Sequence, residues 1–243
     1  MRATSSLLAT IIALPRSRAA NLVLPLRAAR APPARASATD AASSSDEAHR
    51  ISLTLDGPED TLELGAKLAS LARAGDAVLL HGDYGAGKTC LARGFLRHWY
   101  SDPSEQVTSP SYLIDNVYDD PDGRALLPGV TVHHMDLWRL PEGKISQLVD
   151  LPHVFGHCVS LIEWPERLTS ELTPASHLDL RLDILDEGEE AMAPFERTAE
   201  ERVVVDDGDD EDDEDDDTQP RVATLTAHGE AWVERLREFQ EGI

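Results

Sequence analysis

The chain has 243 residues, with 22 Lys and Arg against 45 Asp and Glu, for a formal net charge of −23. That length holds one domain of ordinary size plus tails, and that charge argues against a protein that grips nucleic acid unaided. Two cysteines, Cys90 and Cys158, make neither a disulfide framework nor the spacing of a metal cluster, and they suit a reducing compartment.

The stretch from Met1 to Thr39 holds Arg2, Arg16, Arg18, Arg27, Arg30 and Arg35, no Lys and no acid, in a setting rich in Ala and Ser. This is the composition of an organelle transit peptide; a plain disordered tail and a poor secretory signal are the other readings. The apolar patch Leu7 to Leu14 is too short to span a bilayer and is soon broken by Pro15 and Arg16, so no membrane segment is expected. Arg-rich, acid-free leaders serve plastids and mitochondria alike, and the abundance of Ala and Ser tilts the expectation toward the chloroplast over the mitochondrion.

Beyond the leader, Ile51 to Leu55 alternates apolar and polar residues as a half-buried strand does. A helix is expected from Asp56 and Pro58 onward, with Leu62, Leu64, Leu68 and Leu71 at roughly helical spacing and an end at Gly75-Asp76. Ala77 to Leu80 is a short, fully apolar run, the mark of a central strand in a covered sheet. Directly after it, Gly82-Asp-Tyr-Gly-Ala-Gly-Lys-Thr89 matches G-x-x-x-x-G-K-[ST] in full, and a helix is expected from Lys88 to about Tyr100. Strand, glycine-rich loop and helix in that order are the context the motif requires. The loop curls so that backbone N–H groups converge on phosphate oxygens, aided by the positive end of the helix dipole. Asp83, Tyr84, Gly85, Ala86, Gly87, Lys88, Thr89 and Cys90 therefore form the expected nucleotide-binding span, with the Cys90 side chain read as buried filler. Lys88 brings a point charge to the β and γ phosphates, and Thr89 offers a hydroxyl to magnesium (Mg2+), which prefers oxygen.

Tyr112 to Tyr118 and Val130 to His134 read as an antiparallel hairpin around Asp119-Asp-Pro-Asp-Gly123, whose chance D-x-x-G is read as a surface turn. Val159 to Glu163, Leu178 to Ile184 and Arg221 to Thr226 supply further strands, and an amphipathic helix from Glu230 to Phe239 closes the chain. Between the last two strands, 11 of the 12 residues from Asp206 to Asp217 are acidic, a run read as a solvated, disordered insertion. The expected fold is α/β, a single P-loop NTPase-like three-layer domain with a mixed parallel and antiparallel sheet. Its expected layout is leader and linker over 1–49, P-loop domain over 50–185, acidic insertion over 186–219, and last strand and helix over 220–243.

The guanine-reading N-K-x-D element is absent from the chain, which favours ATP. Asp136 and Glu163 both fall at strand ends, where P-loop proteins keep metal-organising and water-activating carboxylates. Trp138 and Trp164 follow them and either cover the nucleotide or simply pack. Adjacent His133 and His134 point to opposite faces of a strand, cannot both address one site, and read as core or edge histidines.

Four motifs in order then carry a resemblance: Leu80-His-Gly-Asp-Tyr-Gly-Ala-Gly-Lys-Thr89, Thr108-Ser-Pro-Ser-Tyr112, His134-Met-Asp-Leu-Trp-Arg-Leu140 and Ile162-Glu-Trp-Pro165. Over about residues 51 to 185 and again 220 to 240, the chain resembles the TsaE family of bacterial-type ATPases needed to make threonylcarbamoyladenosine in tRNA. The resemblance implies that Thr89 and Glu163 hold magnesium, that Asp136 and Lys88 serve ATP hydrolysis, and that Ser109-Pro-Ser111 senses the γ phosphate, with Ser111 at the nucleotide. It implies partners of the TsaD and TsaB type, with tRNA met only indirectly. The family has Thr where Ser111 stands, which keeps the hydroxyl, and Tyr where Trp138 stands, which loses a phenol. A small-molecule or nucleotide kinase is one rival reading, although the region after Asp136 offers only Arg139, Lys144 and Arg167 where such kinases carry Arg-rich lids. A nucleotide-gated assembly factor that does not turn ATP over is the other. The oligomeric state is not legible.

Overall fold

In the computed structural model of the chain, residues 49–185 and 219–242 are described. They belong to a compact unit, Ser45–Ile243; the Arg-rich leader and the acidic run 206–217 lie outside the described residues.

The elements follow the hydropathy pattern closely. Strand β1 (His49–Leu55) leads into α1 (Pro58–Leu71), where Pro58 occupies a first-turn position that needs no N–H donor. The helix stops at Ala72, three residues before the expected Gly75, because Arg73 N–H is taken by the Asp76 carboxylate. Strand β2 (Ala77–His81) carries the P-loop into α2 (Lys88–Trp99). The expected hairpin is β3 (Asp115–Tyr118) and β4 (Val132–Asp136), antiparallel as read, although β3 starts at Asp115 rather than Tyr112 and β4 runs from Val132 to Asp136 rather than from Val130 to His134. Helix α3 (Leu151–His157) was not foreseen; it is seven residues long and contains Pro152 and Gly156, too short for a helical period to declare itself. Strands β5 (Val159–Glu163), β6 (His177–Ile184) and β7 (Arg221–His228) and helix α4 (Glu230–Glu241) complete the order.

The seven strands form one mixed sheet in the order β1-β7-β6-β2-β5-β4-β3. Strands β4, β5, β2 and β6 run parallel, while β3 and β7 pair antiparallel with their neighbours. The expectation of a central strand for Ala77–Leu80 holds, since β2 sits in the middle with its side chains buried. Helices α1, α2 and α4 cover one face, where Leu53, Leu80, Leu91, Phe95, Leu180, Leu225 and Trp232 form the larger core. On the other face, α3 and two 3-10 turns (Lys144–Gln147 and Pro165–Arg167) seal a smaller core around Leu79, Met135, Ile162, Leu151 and Val154. No helix among the described residues is long and apolar enough to cross a membrane.

Candidate nucleotide site

The P-loop bends between the central strand and α2 in the only way its glycines permit. Gly82 sits at φ +137°, and a Cβ there would stand 2.5 Å from the carbonyl oxygen of Leu182. Gly87 caps α2 in the left-handed region at φ +96°, which an L side chain would resist. Ala86 is buried beneath the loop, while Asp83, Tyr84 and Gly85 face solvent.

Lys88 is buried, and its ammonium donates to the carbonyl oxygens of Gly82 at 2.8 Å and Asp83 at 2.7 Å. It also lies 4.2 Å from the centre of the Trp164 ring. Burial lowers the Lys88 pKa, opposed by the charges of Glu163 and Asp136. Those two carboxylates are directly opposite in the β4–β5 register, Asp136 beside Glu163, and Leu80 of β2 is level with Glu163.

Two hydrogen-bonded clusters meet at this strand end. In the first, Thr89 Oγ1 donates to Glu163 Oε1 at 2.8 Å, and His134 Nε2 donates to the same oxygen at 2.9 Å. In the second, Asp136 accepts from Ser111 Oγ at 2.5 Å and from the backbone N–H of Trp138 at 2.8 Å, and Ser111 in turn contacts Ser109 Oγ at 2.8 Å. Glu163 and Asp136 are each only 3% exposed, so both carboxylates depend on these donors. Trp164 adopts φ 57°, a left-handed backbone rare for a bulky residue, and this turns its ring over Lys88 and against Trp138 at 4.4 Å between centroids. Tyr112, 85% exposed, and Arg139, 4.6 Å from its ring, complete an aromatic rim together with half-exposed Trp138.

The residues singled out from sequence, Lys88, Thr89, Ser111, Asp136 and Glu163, therefore converge. Cys90 does not: its thiol is half-exposed and points to the Pro58 carbonyl oxygen at 3.6 Å, because this turn of α2 faces the start of α1 rather than the sheet. The reading of Cys90 as buried filler is thus corrected. His134 is the fully buried core histidine expected, yet it also contacts Glu163, whereas His133 pairs with Asp115 on the opposite face. The signal was present, since residues 134 and 136 share one face of a strand. Arg221 had no such signal. From β7 it sends Nε to Ala86 O at 3.0 Å and Nη2 to Gly85 O at 3.3 Å, bracing the P-loop from a point far along the chain.

Comparison with known proteins identifies the family. The family model described as threonylcarbamoyl adenosine biosynthesis protein TsaE matches residues 55–192, more than half of the chain. The chain belongs to the TsaE family. It is 35% identical over 137 residues to the tRNA threonylcarbamoyladenosine biosynthesis protein TsaE of Mycobacterium bovis, an overlap of 54% of this chain and 77% of that protein. It is 38% identical to the Streptomyces coelicolor TsaE over 123 residues, 50% of this chain and 77% of the relative, and 33% identical to that of Treponema pallidum, covering 54% and 89%. The crystal structure of YdiB from Bacillus subtilis superposes with a TM-score of 0.54 at 22% identity, covering 82% of this chain and 99% of that one, which supports the fold. The TsaE match spans all four motifs that carry the site, and it stops before β7, so Arg221 lies beyond it.

Proposed function

We propose that this TsaE-family chain binds and hydrolyses ATP as a component of tRNA threonylcarbamoyladenosine biosynthesis, acting on a complex of the TsaD and TsaB type. The observation that carries the proposal is the shared oxygen of Glu163. Thr89 at the end of the P-loop and the β5 carboxylate already touch, with Asp136 in register beside them. An all-oxygen donor pair of hydroxyl and carboxylate fits magnesium, and Thr89 and Glu163 would hold it. When bound, the ion supplies charge neutralisation at the β and γ phosphates.

Lys88, freed from the carbonyls of Gly82 and Asp83, places its charge on the same phosphates. Asp136 orients the attacking water, and Ser111, hydrogen-bonded to it, links that carboxylate to the Ser109–Ser111 segment that would sense the γ phosphate. The Trp138–Trp164 pair shields the reacting end from bulk water. A chain this acidic suits a protein partner better than direct grip of tRNA.

Lys88→Ala removes the phosphate-binding charge while leaving the apolar core untouched. Its circular dichroism should match the parent, and ATP binding by calorimetry should disappear. Hydrolysis that survives in this variant overturns the assignment. Incubation of the parent with ATP alone should release free phosphate slowly, and the partner complex should raise that rate; transfer only to an added hydroxyl acceptor would mean a kinase instead. The Arg-rich leader supports targeting to an organelle, chloroplast before mitochondrion. Residues 1–50 fused to a fluorescent protein should direct it there, and diffuse cytosolic fluorescence would refute that.

A further inference from the structure

The half of the second sheet face made by β1, β7 and β6 is polar, and it holds a side-chain cluster unrelated to the nucleotide. His177 and His228 stand directly opposite in the β6–β7 register, and Asp179 follows His177 by two residues on the same face. The two imidazoles stack at 4.3 Å with 13° between their planes. Both bring Nε2 to one oxygen, Asp179 Oδ2, His228 at 3.0 Å and His177 at 3.7 Å. Asp179 Oδ1 is held separately by His81 Nε2 at 2.9 Å, and His81 Nδ1 meets Glu166 at 2.8 Å.

We propose that His177, Asp179 and His228 form a binding site for a divalent transition metal of the zinc class, joining the last strand to its neighbour. Three features carry this. The Nδ1 of His177 lies 2.7 Å from the Pro174 carbonyl oxygen, and in the neutral ring that donates there Nε2 is the atom left to ligate. Next, one ligand atom from each of the three residues lies within 4.8 Å of the others. The 3.0 and 3.7 Å separations bracket the roughly 3.4 Å expected between ligands about 2.1 Å from a tetrahedral ion. Finally, the hydrogen bond from His81 to Oδ1 orients the carboxylate as such ligands are usually oriented from behind, and leaves Oδ2 for the ion. Two imidazoles and one carboxylate select zinc-class ions, whereas the oxygen pair Thr89 and Glu163 selects magnesium. Asp179 also borders a groove of about 240 Å³ that is lined by Arg50, His81, Arg181, Thr224 and Thr226.

The test uses untagged full-length protein dialysed against zinc chloride in excess magnesium, with bound metal measured by elemental analysis. One zinc per chain is expected, lost in the double variant His177→Ala/His228→Ala and in Asp179→Asn, each checked for folding by circular dichroism. The double variant His153→Ala/His157→Ala, which removes the stacked histidine pair of α3, should keep its zinc. Cobalt in place of zinc should give visible d–d bands without a thiolate charge-transfer band, a readout on the parent protein that needs no variant to fold. Failure of the parent to retain stoichiometric zinc, retention by the His177/His228 variant, or a thiolate band would each overturn the proposal. The first of these outcomes would mean that the three histidines share Asp179 through protons alone.

Discussion

Glu163 Oε1 accepts two hydrogen bonds, one from the P-loop threonine and one from a histidine with no exposure at all. His134 therefore holds the carboxylate in place from the strand side while Thr89 meets it from the loop side. The Nδ1 of His134 has no hydrogen-bond partner among the described residues, so the side chain is committed to this one contact. Substitution His134→Ala removes a donor from a buried carboxylate and leaves a void. A loss of about 2–3 kcal/mol is expected in urea unfolding. Magnesium-dependent ATP affinity should fall as well, since Glu163 can then rotate away from Thr89; unchanged affinity would reduce His134 to a packing role. Such contacts were only partly legible from residues in order. Gly82 to Thr89, Asp136 and Glu163 were readable because each occupies a stereotyped place beside a strand end. The link from Arg221 to the carbonyls of Gly85 and Ala86 was not readable, because nothing local in Arg221-Val-Ala distinguishes a bracing arginine from a strand-edge one.

At the scale of elements, α1 and α2 approach so closely that glycine is required in both. A Cβ at Gly94 would stand 2.0 Å from the Leu62 carbonyl oxygen, and one at Gly65 would stand 2.2 Å from that of Leu91. Because α2 begins at the P-loop, this contact sets the angle at which the helix presents Lys88 and Thr89. Gly94→Ala should cost roughly 2–3 kcal/mol, contrary to the usual gain from replacing a helical glycine, because backbone atoms cannot yield. Thermal melting checks this, and a raised Tm would mean that the helices slide apart freely. Periodicity found α1, α2 and α4 because each spans three turns or more with an apolar stripe, and it missed α3 because two turns do not establish a period. The start of β3 was placed a few residues early, since Tyr112 and Leu113 look like strand residues by composition. They lie instead in the exposed turn that carries Ser111 to Asp136, where tertiary position overrides propensity.

Across the whole molecule, the first and last described strands are woven together. Strand β7 lies between β1 and β6, and α4 is tied back by Arg235, which donates to both carboxylate oxygens of Asp76. The junctions of the insertion are adjacent: Ile184 pairs with Arg221, and Leu185 N–H donates to Pro220 O at 2.9 Å. Replacing residues 186–218 with a two-residue Asn-Gly turn should leave the fold intact and raise stability by about 1–2 kcal/mol, as a shorter loop closes more cheaply. Ending the chain after Leu185 should instead abolish cooperative unfolding, because β1 loses its strand partner and the P-loop loses Arg221. A calorimetric scan of the two variants separates these outcomes. This strand order also has a consequence in time. Synthesis proceeds from the amino end, so β1 and the P-loop leave the ribosome well before the strand that joins one and braces the other. Every nascent chain then carries a phosphate cradle without its Arg221 brace until translation has passed the acidic run. Bracing of the P-loop is accordingly a late event of synthesis, open only once β7 has been made.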